Sequence, residues 1–399
     1  MAKKNLRWLV LSSFLMAVCL IPFSGVVAAD RTEIRVGAPN SITGMNVMTA
    51  AEHKWAYEQA VADINKKGGV FVKDLGKKLP IKLIFADDKS TADQGAVALE
   101  RLIKRDKIDL ALSTNITPIN IAAATVCEKY KVYFQIVVSW LDFIEKENFK
   151  WVSDLFTDTG SAAKTPFLIW NDMPPDQRPK RPALLMEDNQ DGQGFGMGFK
   201  HWAKEYGYTF VIDDPYAPGS KDFSSHILKY KATKVDAILI LCSPTDGITL
   251  LRQMKEQGLK VPYIHGWKGF WPREFEKAMG KDANHIIHDG FWSDAFGAPG
   301  AKELQARYMK QYGRDSVSVG LSYANPQILA MAIEKAGSFE SAKVRDVVFG
   351  GEFKGTMMGD VKYNEKGLAF KPLIAMQWWE GKRMPVYPPK PDVWTLKLP

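Results

Sequence analysis

VDAILILCSPTDGITLLRQMKEQGLKVPYIH, residues 235–265, is the stretch whose reading decides the fold. It opens on a short apolar run over 235–241, passes through Ser243-Pro244 into a helical pattern over 245–257, and returns to an apolar run over 261–265. Strand, helix, strand in so few residues is the unit of a parallel sheet, because a parallel return needs a crossover and a helix supplies it. The same unit repeats on either side. Upstream lie a strand over 183–186, a helix over 194–206, a strand over 209–212 and a helix over 222–230. Towards the N-terminus a second series runs through strands at 34–38, 81–86, 109–112 and 132–138. Its helices are expected at 49–66, 91–104 and 118–130. In the first of these, Ala50, Ala51, Trp55, Tyr57, Ala60, Val61 and Ile64 recur near helical spacing, and Lys66-Lys67-Gly68-Gly69 supplies the stop.

Two such series imply an α/β protein of two doubly wound parallel-sheet lobes facing each other across a cleft. Ligands in such sheets sit beyond the carboxyl ends of the strands, which directs attention to the loops beginning at Asn40, Asp87, Ser113, Ser139, Glu187, Ser243 and Gly266. After about residue 292 the pattern changes to helices at 302–312 and 323–336. Short antiparallel strands follow near 360–363 and 373–379, and a proline-rich tail (Pro385, Pro388, Pro389, Pro391) reads as an extended strap.

The N-terminus reads as an export leader. Lys3, Lys4 and Arg7 precede an apolar stretch broken by Pro22 and Gly25, and Val27-Ala28-Ala29 offers a cleavage site, so residues 1–29 are expected to be removed after Ala29. The rest of the 399-residue chain exceeds the roughly 250–300 residues at which single cores stop growing. The formal charge of +8 includes the three leader cations, and the other basic residues are scattered among acids. That pattern is a solvated surface and not a nucleic-acid stripe. Cys127 and Cys242 are expected as two buried thiols.

Catalytic constellations are thin. GxSxG, HExxH, P-loop and CxxC patterns are all absent, and no nucleophile stands with a base. His285 and His288 lack the further ligands that a metal site needs, so neither metal nor cofactor is expected. Gly192, Gly194, Gly196 and Gly198 imitate a dinucleotide loop, but the spacing fails because Met197 and Phe199 stand where a third glycine is required. They read instead as a loop-to-helix junction at the cleft.

Several segments, in this order, resemble the periplasmic solute-binding proteins of the leucine/isoleucine/valine-binding type, which serve ATP-binding-cassette importers. They are Glu58-Gln59-Ala60-Val61-Ala62-Asp63-Ile64-Asn65 with Gly68-Gly69, Phe85-Ala86-Asp87-Asp88, Glu128-Lys129-Tyr130-Lys131-Val132, Lys221-Asp222-Phe223-Ser224, Leu250-Leu251-Arg252-Gln253 and Ala332-Ile333-Glu334-Lys335-Ala336-Gly337. The resemblance implies a type I periplasmic-binding-protein fold with a three-crossing hinge. It places the first lobe at 30–157 plus 293–357 and the second at 158–292 plus 358–399. It further implies a monomeric, non-enzymatic periplasmic protein that captures an amino-acid-like or aromatic carboxylate and delivers it to a membrane permease.

Carried over by resemblance, the loop Ser113-Thr114-Asn115-Ile116-Thr117 holds a ligand carboxylate, with Asn115 and Thr117 as contacts. Thr117 also precedes a helix and is a candidate N-cap. The next loop contributes Ser139 and Trp140, and the second lobe Asp191, Ser243 and Trp267. Two departures stand out. Asp191 replaces the family's tyrosine, and the carboxylate that meets a ligand ammonium is replaced by Trp267-Lys268. Either Asp191 takes the positive group or the ligand is no ordinary α-amino acid. The competing readings are a ligand sensor that reports to a receptor and an exported hydrolase.

Overall fold

The computed structural model describes residues 31–44 and 46–399. The leader and its cleavage after Ala29 therefore lie outside the described residues. The stretch at 235–265 forms strand Ala237–Cys242, helix Pro244–Glu256 and strand Tyr263–Lys268. All six residues of Ala237–Cys242 are buried, as expected for a strand covered on both faces. The two strands pair in parallel from Ala237↔Tyr263 to Cys242↔Lys268.

Around them stands a seven-stranded sheet in the order Lys382–Tyr387, Ile374–Trp379, Ile287–Gly290, Tyr263–Lys268, Ala237–Cys242, Pro182–Glu187, Ile212–Tyr216. The first two are antiparallel additions from the C-terminal segment, so the proline-rich strap begins as an edge strand. The other sheet has six strands, ordered Leu368–Phe370, Val152–Phe156, Phe134–Val137, Leu110–Leu112, Ile34–Asn40, Ile81–Asp87, with every neighbouring pair parallel. In each sheet the chain lays its second strand on one side of its first and its third on the other. Switch points therefore fall between Ile34–Asn40 and Leu110–Leu112, and between Pro182–Glu187 and Ala237–Cys242.

The chain passes between the sheets three times: after Val152–Phe156, after Ile287–Gly290 and after Leu368–Phe370. The last crossing corrects the expected boundary. Strand Leu368–Phe370 pairs with Val152–Phe156, so the first lobe keeps the chain through residue 370 instead of releasing it at 357.

Three local expectations also shift. Helix Thr159–Asp172, with Pro166 inside it, forms where the sequence pattern predicts no element. The strand expected at 209–212 forms at Ile212–Tyr216. Tyr208 and Phe210 cover Phe167 with ring centroids at 5.9 and 6.3 Å, rather than joining the sheet. Helix Gln190–Glu205 begins four residues before the expected start, so the glycine run lies inside it. There Gly198 lets the helix approach Thr159–Asp172, since a Cβ would come within 2.8 Å of the Ala163 Cβ. Among the described residues no helix is long and apolar enough to cross a membrane. Cys127 and Cys242 are buried free thiols, and burial pushes both up from the usual thiol range.

Candidate functional site: the facing strand ends

The carboxyl ends of the two sheets meet. Phe156, closing a strand of the first sheet, lies 5.0 Å from the Phe291 ring, just past Ile287–Gly290 of the second. Trp140, beyond Phe134–Val137, packs 5.2 Å from Phe195 of helix Gln190–Glu205. These aromatic contacts bring strand ends of the two sheets together.

On the first lobe, the buried side chain of Asn120 organises the wall. Its Oδ1 accepts from the backbone N–H of Thr114 at 3.1 Å. Its Nδ2 donates to the Thr114 carbonyl at 3.0 Å and to the Ser139 hydroxyl at 2.9 Å. One carboxamide thereby ties together the loops after two neighbouring strands. Ser113 sits behind them. Its carbonyl accepts from Tyr57 at 3.2 Å and lies 2.9 Å from Nε2 of His53.

Thr117 begins helix Thr117–Tyr130 but does not cap it; the N-cap position is Ile116, without a side-chain bond. The Thr117 hydroxyl instead accepts from the Trp140 backbone N–H at 3.4 Å, joining the same two loops. Asn115 is half-buried, with a covered Oδ1 that has no hydrogen-bond partner. Val138, immediately before Ser139, is held at φ 61°, which is rare for a β-branched residue.

Asp87 and Asp88 complete this wall in different ways. Asp87 anchors the loop at residues 42–43, accepting from Thr43 Oγ1 at 2.7 Å and from the backbone N–H groups of Ile42, Thr43 and Lys89. Partial burial raises its pKa, but these donors outweigh it and hold the carboxyl below the usual range. Asp88 is inaccessible to solvent. Its Oδ1 accepts from Ser41 Oγ at 2.6 Å and from Ser90 N at 2.8 Å, and the Thr114 hydroxyl also acts on the carboxyl. Burial pushes its carboxyl up, opposed by the Ser41 hydroxyl.

The second wall is built around a cation. Lys268 ends its strand at φ 31°, and its Nζ donates to the buried Glu187 at 2.5 Å. Asn189 Nδ2 donates to the same Glu187 oxygen at 2.9 Å, while Asn189 Oδ1 caps helix Gln190–Glu205 by accepting from Gly192 N. Asp191 is exposed, and its carboxylate lies 3.8 Å from the Lys268 ammonium. Ser243 caps helix Pro244–Glu256 by accepting from Asp246 N at 3.2 Å. Trp267 turns into the lobe: its ring stacks 4.4 Å from His265 at an interplanar angle of 6° and packs 4.8 Å from Phe199. Of the seven expected contacts, then, Asn115, Thr117, Ser139 and Trp140 share one wall. Asp191 and Ser243 stand at the helix starts that follow two strands of the other, and the Trp267 ring is covered.

The expected contacts do not include Asn120, Asp88, Glu187 or Lys268. Lys268 carried a signal, since it stands where a carboxylate was expected. Asn120 carried none, because its role depends on two loops that only the folded chain brings together. Among the described residues, no group of three or more acidic, histidine or cysteine side chains is arranged to hold a metal.

Two α/β lobes crossed three times by the chain, with strand ends of both sheets meeting through aromatic contacts, have the architecture of a two-lobed binding protein. The chain belongs to the periplasmic binding protein family, whose model matches residues 33–383. A Leu/Ile/Val-binding protein from Rhizobium johnstonii is 26% identical over 369 residues, covering 92% of this chain and 96% of the relative. A Leu/Ile/Val-binding protein homolog from Brucella melitensis is 24% identical, covering 92% and 97%. Among solved structures, the branched-chain amino acid transporter substrate binding protein of Streptococcus pneumoniae, in complex with isoleucine, superposes with a TM-score of 0.77 at 19% identity, covering 92% of this chain and all of that one. An ABC-transporter solute binding protein from Rhodopseudomonas palustris, in complex with 3,4-dihydroxy benzoic acid, gives 0.71 at 19% identity, covering 88% and 95%. The expected family and type I fold are thus both borne out.

Proposed function

We propose that this protein is the exported solute-binding component of an ABC importer. It closes its two lobes on a small carboxylate, amino-acid-like or aromatic, and presents the closed form to a membrane permease. The observation that carries the reading is the cleft itself. Strand ends from two sheets face each other, polar groups line both walls, and three chain crossings provide the hinge on which such lobes move. Ligand touching both walls favours the closed form, and a permease can then distinguish loaded from empty protein. Relatives named for leucine, isoleucine and valine, and neighbours bound to isoleucine or dihydroxybenzoic acid, support a small carboxylate as the cargo. Removal of residues 1–29 and a monomeric mature protein belong to the same reading.

A thermal-shift screen of amino acids, aromatic acids, amides and short dicarboxylates tests it. At least one carboxylate is expected to raise the melting temperature with one-to-one stoichiometry by calorimetry. Failure of every small molecule to bind would contradict the proposal.

A further inference from the structure

Asp191 has its positive group within the chain. The Lys268 ammonium lies 3.8 Å from the Asp191 carboxylate and donates to Glu187 at 2.5 Å, so one lysine serves both acids of the second wall. Glu187 is buried and Lys268 about one-third exposed, whereas Asp191 is more than half exposed.

The backbone holds this cation in place. Gly269 N–H donates to the Trp267 carbonyl and closes a three-residue turn with Lys268 at its centre, at φ 31°. A Cβ on Gly269 would come within 2.7 Å of the Cys242 carbonyl oxygen, so the turn is seated against the end of the neighbouring strand. The inner acid is fixed as well, because Asn189 donates to Glu187 at 2.9 Å while capping helix Gln190–Glu205.

The cluster lies one helical turn from the contact between the lobes. Asp191 and Phe195 stand four apart on helix Gln190–Glu205 and share a face of it. Phe195 packs 5.2 Å from Trp140 of the first lobe. An ammonium on a solute held beside that contact meets no vacant acid. Glu187 already takes Lys268 and Asn189. Asp191 is open to water, so its attraction for a second cation is weak. Sharing it would set two ammonium groups side by side, and that repulsion discriminates against the solute that carries one.

We propose that Lys268 is a specificity residue: its ammonium occupies the place beside Glu187 and Asp191 that a ligand ammonium would need. The cargo is then an aliphatic or aromatic carboxylate without an ammonium group, and α-amino acids are disfavoured. The proposal rests on the solute-binding reading and narrows its ligand class.

The test is calorimetry on the full mature chain with pairs that differ only in an ammonium. They are isoleucine and its deaminated acid, phenylalanine and its deaminated acid, and the best-stabilising acid of the thermal-shift screen with its counterpart that gains or lacks an ammonium. The wild type is expected to bind at least one ammonium-free acid tenfold or more tightly than its partner. Lys268→Met opens the acid pair and is expected to narrow that ratio at least tenfold, by strengthening the ammonium-bearing probe. A lysine that only braces the fold would change both members of a pair alike. Should Lys268→Met fold poorly by circular dichroism, Lys268→Gln, which keeps a donor for Glu187, makes the same comparison. An amino acid that binds the wild type as tightly as its ammonium-free partner would overturn the exclusion by Lys268 and leave the solute-binding reading standing. A ratio unchanged in the variant would do likewise. A wild type that binds no small molecule would remove both.

Discussion

The first lobe meets the cleft with hydroxyls, carboxamides and one covered carboxylate, and Asn120 ties the Thr114 and Ser139 loops together. The second meets it with a lysine braced between two acids, and sends its large aromatic, Trp267, back into its own core. Both walls come from the same kind of sheet, and both use the loops after parallel strands. The doubly wound architecture thus dictates where a site falls, while residues at a few strand ends decide what the site recognises. On the first wall Asn120 and Thr117 bond neighbouring loops to one another. On the second they converge on one cation.

Histidine burial offers the largest lever on this comparison. His53 stands behind the first wall, with Nδ1 2.9 Å from Ser322 Oγ and Nε2 2.9 Å from the Ser113 carbonyl. Burial, opposed by the Ser113 carbonyl, brings it down from 6.5 to about 4. A histidine lowered in the folded state contributes stability that is complete above its unfolded pKa and is lost as pH falls towards the folded one. Urea denaturation between pH 6.5 and pH 4 is therefore expected to show a loss that His53→Gln reduces by up to about 3 kcal/mol. Parallel curves for the two proteins would remove His53 as a source of acid sensitivity.

Backbone packing in the second wall comes next. A Cβ on Gly192 would lie 1.8 Å from the Glu187 carbonyl oxygen, in the turn that carries Asn189 and Asp191. Gly192→Ala should destabilise the protein by about 2 kcal/mol and disturb the Lys268–Glu187 pair. A denaturation midpoint equal to wild type would show that this turn relaxes freely.

The smallest expected effect concerns the seam between the walls. Trp140 packs at 5.2 Å on both Phe156 and Phe195, joining the two lobes. Trp140→Ala should keep the circular dichroism of the fold while weakening ligand binding about tenfold, roughly 1.4 kcal/mol. Unaltered affinity would make the indole a packing element alone.

How much of this was legible depended on the distance over which a feature is decided. The unit at 235–265 could be read because a buried strand and its crossover helix announce themselves within a few dozen residues. The third crossing could not: Leu368 pairs with Asp154 across more than half the chain, and no local period records that. The glycine run misled for a related reason. Gly198 answers to Ala163 on another helix and not to a ligand. Within the candidate site, the loop at 113–117 was marked by its place after a strand, and its contacts came from the resemblance. The charge of the opposite wall was visible only as a missing carboxylate, since Glu187 and Lys268 stand 81 residues apart in sequence before folding brings them together.

The most direct test of the account is recovery of the ligand after binding. The mature protein would be incubated with the best-stabilising carboxylate, its stoichiometry measured by native mass spectrometry, and the small molecule identified after denaturation. One unaltered molecule per chain is the expected result. A chemically changed molecule, or none retained at any concentration, would contradict a protein built to capture a solute and hand it on.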